Sequence, residues 1–312
     1  MKAIAIDQYG GPEVLHLAEL EDPKLGPDSV LIRIKAAGVN PVDYKIRYGY
    51  LDRAFPSYFP IILGWDVSGV IEAVGATVKE FKKGDEVFAY ARKDFIGQGC
   101  YAELVSVPIR AVAKKPQTID HIYSAGVPLA GLTAYQAVVE TLNISKGQSI
   151  LIHAAAGGVG SFAVQIAHAL GAEVIGTASK QNHQYLQNLG ANFCIDYNDT
   201  NIADELKKKF PQGIDAVFDL IGGQSLERSV ELLSSSSKTN LVSVVDPKVK
   251  NLGGSYVFVR PNSEQLQTLA NMIDTKDLKV EISQTFTLEE ARSAHELLES
   301  GHVRGKLTLE IG

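Results

Sequence analysis

The sequence predicts an α/β protein with two domains, one rich in short β-strands and one built on a doubly wound parallel sheet. With 312 residues the chain is too long for one comfortable hydrophobic core. Up to about residue 120, short β-branched runs are interrupted by Gly and Pro, which is typical of a barrel-like β domain. From about residue 121 to 255, apolar strands alternate with helical lengths, which indicates a parallel sheet with crossover helices.

Turn signals and changes of hydrophobic period bound each predicted element. The first region predicts strands at 30–34, 68–73, 86–89 and 101–107, followed by a linker at 116–120. The second region predicts strands at 149–154, 173–177, 193–195, 216–220 and 240–245, and helices at 159–170, 184–189, 203–209 and 225–233. The tail predicts helices at 263–274 and 288–299 and a last strand at 306–311.

Composition and charge exclude several classes of partner. The net charge of −6 argues against a nucleic acid or an anionic membrane as partner. No apolar run approaches the roughly 20 residues that span a bilayer, and the N-terminus is typical of a first strand rather than a signal peptide. Two isolated cysteines fit a reducing compartment, so we expect a cytoplasmic protein. Seven histidines without ligand spacing predict no metal site.

A Gly-rich turn between a predicted strand and a predicted helix is the sharpest local signal. It has the pattern Ala154-x-x-Gly157-x-x-Gly160, in which small residues let the backbone approach a pyrophosphate. The helix N-terminus adds free N–H groups and the positive end of its dipole. We therefore predict dinucleotide binding there rather than a tight turn without ligand. The predicted binding residues are Ala156, Gly157, Gly158, Val159 and Gly160.

The end of the next predicted strand indicates which dinucleotide binds. An NAD site usually has an Asp or Glu about 20 residues beyond the glycines, which accepts from the ribose 2′-hydroxyl. Here that place holds Ser179 and Lys180, a hydroxyl and an ammonium that can receive a 2′-phosphate. The prediction is NADPH. The alternative is that Lys180 is an exposed helix residue without a role.

Several blocks of sequence carry a resemblance to a known family and occur in its order. They include AAGVNPVDYKIRYG at 36–49, ILGWDVSGVIEAVG at 62–75, LAGLTAYQAV at 129–138 and GHVRGKLTLEI at 301–311. With these blocks the chain resembles the medium-chain dehydrogenase/reductase superfamily, in particular its quinone oxidoreductase and enone reductase members. The resemblance covers nearly the whole chain.

The resemblance implies a GroES-like catalytic domain made of residues 1–120 and 256–312. It implies a Rossmann NADPH-binding domain at 121–255, inserted between these two parts, and an active site in the cleft between the domains. It also implies a homodimer that pairs through an edge strand near 255–259.

Departures from the family indicate that the chemistry is zinc-independent. Zinc-dependent members carry a Cys where this chain has Asn40, a His where it has Trp65, and a further Cys near Leu129. These side chains cannot supply the thiolate and imidazole ligands that zinc needs. Without a Lewis acid, the workable reaction is hydride transfer from NADPH to an electron-poor acceptor, a quinone or an α,β-unsaturated carbonyl.

The resemblance assigns roles to individual residues. Asn40 is expected near the nicotinamide, Asp43 to fix a neighbouring hydroxyl or amide, and Lys45 to stabilise a developing oxyanion. Tyr48 is expected as a wall or a donor. For Asp43 a helix N-cap is the alternative, and for the Asn-Pro pair a turn initiator is the alternative.

Further positions have both a functional and a packing interpretation. Thr133 is expected to line the nicotinamide pocket, with a helix Thr bonded to its own backbone as the alternative. Tyr197 is expected near the adenosine end, or as a packed strand-end residue. His153 and Trp65 are predicted mainly as core residues. A non-catalytic NADPH-binding protein remains the alternative function, and the sequence does not identify the physiological acceptor.

Overall fold

The computed structural model describes residues 1–198 and 202–312, which form two compact units. One unit comprises residues 1–129, 261–275 and 280–312. The other comprises residues 130–260 and 276–279. Within the described residues, no helix is long and apolar enough to cross a membrane.

The strands are numbered in chain order. The first nine are β1 (Lys2–Ile6), β2 (His16–Glu19), β3 (Ser29–Val39), β4 (Ser57–Ile62), β5 (Asp66–Val74), β6 (Glu86–Tyr90), β7 (Ile96–Gln98), β8 (Leu104–Pro108) and β9 (Val112–Lys114). The others are β10 (Ser149–Ile152), β11 (Glu173–Ala178), β12 (Phe193–Asp196), β13 (Ala216–Asp219), β14 (Leu241–Ser243), β15 (Ser255–Tyr256), β16 (Ile282–Thr287) and β17 (Lys306–Glu310).

The helices follow the same order. They are α1 (Pro41–Arg47), α2 (His121–Ala125), α3 (Pro128–Tyr135), α4 (Gly158–Ala169), α5 (His183–Asn188), α6 (Ile202–Lys209), α7 (Gly223–Ser229), α8 (Ser263–Asp274) and α9 (Ala291–Glu299). Short 3₁₀ turns lie at Pro12–Val14, Ile109–Ala111, Lys180–Asn182, Val230–Leu232, Pro247–Leu252 and Leu288–Glu290, and a π-helical segment at Gln136–Thr141 follows α3.

The first unit is β-rich, and its larger sheet brings the two ends of the chain together. This seven-stranded sheet has the order β16-β17-β3-β5-β6-β9, with β8 also paired to β3. A four-stranded sheet has the order β2-β1-β4-β7. The C-terminal strand β17 runs antiparallel to β3, with Leu307 opposite Val39. Lys306, the first residue of β17, is thereby placed beside the end of β3.

The second unit is a six-stranded parallel sheet with the order β12-β11-β10-β13-β14-β15. Strand β10 is buried along its whole length, as a central strand covered on both faces should be. The strand order reverses direction beside β10, which makes the sheet doubly wound. The predicted fold class, a β-rich domain plus a doubly wound parallel sheet, is confirmed.

Where the structure departs from the sequence prediction, local composition explains the difference. No strand is predicted for β4, which carries Pro60 and pairs with β1 at only two positions. No helix is predicted for α3, which is buried on nearly all sides and so lacks the polar face that gives a helical period. The predicted strands 101–107 and 240–245 are shorter, as β8 and β14.

Gly160 fixes how closely α4 approaches the end of β10. A Cβ atom at Gly160 would lie 2.5 Å from the Ala154 carbonyl oxygen and 2.6 Å from the Ala155 Cα. Both are backbone atoms of the strand–helix turn, so neither can rotate away. At Gly157, in the same turn, a Cβ atom would have the Ala154 oxygen as its nearest neighbour, at 3.3 Å.

We therefore expect Gly160→Ala to destabilise the fold by about 1–3 kcal/mol, because the turn must shift to admit the methyl group. Gly157→Ala is the matched control in the same turn and should cost under about 1 kcal/mol. Urea denaturation of the two variants and the parent protein measures both values. Equal losses for the two variants would contradict the steric argument.

Candidate functional site

Asn40 lies where β3 ends and α1 begins. Its backbone is extended and Pro41 follows it. Both features are typical of a helix N-terminus, since Pro fits the first helical position. The side chain is only 1% exposed. Its Nδ2 donates to Asp66 Oδ2 at 2.9 Å, and its Oδ1 accepts a short hydrogen bond from Lys306 Nζ. The amide is thus held between a carboxylate and an ammonium group.

Asp43, one turn into α1, is completely buried. Its Oδ2 accepts from the Asn40 backbone N–H at 2.7 Å and from the Tyr101 hydroxyl at 3.0 Å. Its Oδ1 has no hydrogen-bond partner among the described residues. Burial disfavours the charged form and raises the pKa of Asp43 to about 7. Asp43 therefore caps the start of α1 and also fixes a neighbouring hydroxyl and amide.

Asp66, at the start of β5, hydrogen-bonds both to the Asn40 side chain and to the first turn of α3. Its Oδ1 accepts from the Leu129 backbone N–H at 2.7 Å. Burial raises its pKa to about 6, although the Lys306 ammonium opposes the rise. The facing residue of β3 is Gly38, where a Cβ would lie 2.9 Å from that of Asp66. The lack of a side chain at Gly38 lets the Asp66 side chain approach Asn40.

Asp66 thus joins Asn40 to Leu129, two of the three positions at which zinc-dependent relatives are expected to differ. Trp65 points elsewhere, packing its ring 6.2 Å from Phe55 and 6.1 Å from Tyr90. Its side chain is therefore a core residue. Among residues 1–198 and 202–312, no group of three or more His, Cys, Asp or Glu side chains is arranged to hold a metal ion.

The hydrogen-bonded network continues from Asp43 to the surface near α9. Tyr101 contacts His295 Nε2 at 3.3 Å, and His295 Nδ1 lies 2.9 Å from Arg47 Nη1. Because a guanidinium only donates, Nδ1 accepts and Nε2 carries the proton. Burial, together with the Arg47 charge, lowers the pKa of His295 to about 3. The neutral imidazole donates to Tyr101, which donates to Asp43, so the chain of donors points toward Asp43.

Lys45 lies on α1 and Tyr48 directly follows the helix, but neither residue is part of this chain of donors. Lys45 is half-buried, which lowers the pKa of its ammonium group. No hydrogen bond or ion pair to this ammonium is found in the described parts of the chain. The Tyr48 hydroxyl donates to Glu299 at 3.0 Å, and the Arg47 guanidinium lies 4.6 Å from the Tyr48 ring centre. Glu299 also forms an ion pair with Arg47 at 2.7 Å.

In the second unit, the Gly-rich turn presents backbone rather than side chains. Helix α4 begins after Gly157, and no side chain caps it. Its first N–H groups therefore remain for a ligand, which fits a pyrophosphate. Ala154 has φ +46°, a left-handed conformation that is strained for alanine. Its N–H donates to the Thr177 hydroxyl at 3.2 Å, which ties the strained residue to β11.

His153 is a buried, satisfied histidine rather than an exposed base. Its Nε2 lies 2.9 Å from the Ser229 hydroxyl, and its Nδ1 lies 3.3 Å from the Thr177 hydroxyl. Burial lowers its pKa, with Asp219 opposing. The packing interpretation of the sequence is therefore correct for His153. Thr133 is likewise buried, within α3.

The predicted 2′-phosphate site contains an acid that the sequence analysis missed. Asp196, at the end of β12, accepts from the Lys180 backbone N–H at 3.1 Å. Hydrogen bonds from Asn198 and Lys180 lower the pKa of Asp196 and keep it ionised. The Lys180 side chain is exposed, and the Ser179 hydroxyl accepts from Asn182 at 3.1 Å. Tyr197, the next residue after Asp196, is 51% exposed.

Sequence reasoning also missed Tyr101 and Lys306, because both reach the site from distant parts of the chain. The one available signal for Lys306 was its place in the closing block, directly after Gly305. For Asp196 the signal was its position at the end of the third predicted strand, beside the second. An acid is therefore present near Lys180, although none follows β11 itself.

The raised pKa of Asp43 predicts a pH-dependent effect of Asp43→Asn. The folded protein holds this proton to a higher pH than the unfolded chain, so stability is lost as pH rises from about 4 to about 7. An Asn cannot ionise, yet its amide oxygen still accepts from Asn40 and Tyr101. The unfolding free energy of the variant, relative to the parent, should therefore rise across this window.

Urea denaturation at about pH 4, 6 and 8 measures this difference. Asp28→Asn, the same substitution at an exposed carboxyl, is the control. A difference between Asp43→Asn and the parent that stays constant with pH, or falls, would contradict the raised pKa.

Comparison with known proteins places both units in one family. Residues 26–117 match the alcohol dehydrogenase GroES-like domain, and residues 189–309 match the zinc-binding dehydrogenase family. The chain is 37% identical to a chloroplastic NADPH-dependent alkenal/one oxidoreductase of Arabidopsis thaliana, over 99% of this chain and 79% of the relative.

Solved structures agree with this placement. The quinone oxidoreductase of Coxiella burnetii aligns with a TM-score of 0.90 and 36% identity, covering 100% of this chain and 99% of the other. The quinone oxidoreductase of Escherichia coli, solved in complex with NADPH, aligns with a TM-score of 0.85 and 30% identity, covering 99% and 100%. The chain therefore belongs to the medium-chain dehydrogenase/reductase superfamily, in its quinone and enone oxidoreductase branch.

Proposed function

We propose that the protein is an oxidoreductase that transfers a hydride from NADPH to a quinone or an α,β-unsaturated carbonyl. One observation carries this proposal. At the place where zinc-dependent relatives bind their metal, this chain holds a carboxamide, Asn40, fixed between Lys306 and Asp66. Such a group can donate a hydrogen bond but cannot act as a Lewis acid, so it suits an acceptor that is already activated by conjugation.

The residues of the second unit fit NADPH. The uncapped start of α4 and the small residues Ala156 to Gly160 would receive the pyrophosphate. Ser179 and Lys180 would receive the 2′-phosphate, and exposed Tyr197 would contact the adenosine end. We assign Thr133 to the nicotinamide pocket. When bound, NADPH supplies the hydride from nicotinamide C4.

The residues of the first unit orient the acceptor and stabilise charge on it. The Asn40 Nδ2 has one hydrogen beyond the one given to Asp66, and this donor would bind a carbonyl oxygen or the nicotinamide carboxamide. Lys45 has a half-buried ammonium without a partner in the described chain, which suits it to stabilise a developing oxyanion. Asp43 anchors the backbone N–H of Asn40.

We infer that turnover needs no zinc, because Asn40, Trp65 and Leu129 are not zinc ligands and Trp65 points into the core. We further infer a cytoplasmic enzyme that acts on small molecules, with neither nucleic acid nor membrane as partner. A homodimer is proposed through the edge strand β15 and the exposed Phe258 that follows it. Sedimentation equilibrium would then give twice the mass of one chain.

The function is tested by NADPH oxidation with a panel of small quinones, enones and simple alcohols. We expect turnover with the conjugated acceptors, negligible NADP⁺ reduction with primary alcohols, and unchanged activity in strong chelator. NADPH consumption without acceptor is the control. Binding of NADPH without turnover of any acceptor would favour a non-catalytic role. One zinc per chain, with activity lost on its removal, would contradict the metal-free mechanism.

The two charges near the 2′-phosphate site predict opposite effects on cofactor preference. Lys180→Ala should weaken NADPH binding by about tenfold, because one charge-assisted hydrogen bond to the phosphate is lost. Asp196→Asn should strengthen NADPH binding, because a carboxylate beside the phosphate is neutralised. NADH lacks the phosphate, so its affinity should barely change in either variant.

Cofactor KM and kcat for both cofactors measure these effects, and kcat should change little because the site is remote from the hydride. Lys207→Ala, at the end of α6, is the control for removing a lysine from the same unit. Equal losses for NADH and NADPH in Lys180→Ala would mean that Lys180 is structural.

A further inference from the structure

Lys306 is a buried cation that the proposed function names only as a neighbour of Asn40. Its side chain reaches from the first position of β17 to the end of β3, where Nζ donates to the Val39 carbonyl at 2.9 Å and to Asn40 Oδ1. The residue is 4% exposed. Burying an ammonium group costs several kcal/mol unless nearby acceptors and negative charges compensate. Here those are two oxygens and the carboxylates Asp66 and Asp43.

The backbone before Lys306 is arranged to place it. Gly305 has φ +69°, and a Cβ there would lie 2.5 Å from the Glu281 carbonyl oxygen. That same oxygen accepts from the Lys306 backbone N–H at 2.9 Å. Only glycine fits this left-handed, crowded position. The Gly-Lys pair of the closing block GHVRGKLTLEI is therefore explained by the delivery of an ammonium group to Asn40.

The two charged neighbours of Asn40 distinguish the two orientations of its amide. An Asn side chain is nearly symmetric in shape, so packing alone distinguishes poorly between its oxygen and its nitrogen. An ammonium can only donate, and a carboxylate can only accept. With Lys306 on one side and Asp66 on the other, a flipped amide would turn both hydrogen bonds into repulsive contacts.

We propose that Lys306 is a positioning residue, whose buried ammonium fixes the Asn40 carboxamide with Oδ1 toward β17 and Nδ2 toward Asp66. The second hydrogen of Nδ2 is thereby held in one direction for the acceptor or the nicotinamide carboxamide. This inference rests on the proposed function, in which Asn40 is the donor. Lys306 acts through Asn40 and need not touch substrate.

The test is a double-variant cycle of Lys306→Met and Asn40→Ala. The hydride step is measured at saturating NADPH by stopped flow, with a deuterium isotope effect from C4-labelled NADPH to identify that step. NADPH affinity is measured in parallel by fluorescence. Lys2→Met is the matched control, since Lys2 is also the first residue of a strand in the first unit, but is exposed.

Lys306→Met should slow the hydride step by about ten- to hundredfold, since small misplacements of a catalytic group have effects of this size. NADPH affinity should stay within about twofold of the parent. In the Asn40→Ala background, Lys306→Met should cost less than about twofold further, because the group it positions is already gone. Lys2→Met should match the parent throughout.

If Lys306→Met does not fold, Lys306→Gln takes its place in the cycle, because its amide can still donate to Asn40. It should lose less rate than Lys306→Met, at unchanged NADPH affinity. A parent-like rate in Lys306→Met would overturn the proposal. So would a rate in Lys306→Gln as low as that of Lys306→Met, or losses that multiply with Asn40→Ala. A parent protein that binds NADPH but reduces none of the quinones or enones would instead contradict the proposed function.

Discussion

The first unit depends on one buried arrangement, an amide held between an ammonium and a carboxylate. Asn40 directly follows β3, Asp66 begins β5 and Lys306 begins β17, so three strands of one sheet are tied together at this point. Neither charge could be buried alone, because removing an ion from water without a partner costs several kcal/mol. The Asn40 amide donates to the buried carboxylate and accepts from the buried ammonium, so both charged groups keep a hydrogen-bond partner.

Two carboxyls and one ammonium form a buried cluster of opposite charges. Burial raises the pKa of Asp66 to about 6 and that of Asp43 to about 7, while burial lowers the pKa of Lys306. Burial therefore disfavours the charged form of all three groups, and the opposite charges of the cluster oppose these shifts. The donors aimed at Asp43, from Tyr101 and the Asn40 backbone, favour its ionised form and offset part of the desolvation cost.

The two units use different physical means to prepare their sites. The first unit positions side chains through buried hydrogen bonds that join residues far apart in sequence. The second unit relies on backbone, since an uncapped helix start and the close approach at Gly160 require only small residues in a local order. Its one strained residue in the Gly-rich turn, Ala154, is held by the hydroxyl of Thr177 on the adjacent strand.

This difference explains what could be predicted from the sequence. The strand–turn–helix at 149–170 and the parallel sheet were predictable, because period, turn residues and strand–helix alternation are local properties of the chain. Asn40 and Asp43 could also be named from the sequence as candidate site residues, since they lie in one short block. Tyr101, Lys306 and Asp196 were not, because each joins its partners only through strand pairing or long-range packing. The sequence alone specified which chemical groups are present, but the tertiary structure determined which of them share a hydrogen bond. The reason is that hydrogen bonds and electrostatic interactions depend on the distance between groups in space and not on their separation along the chain.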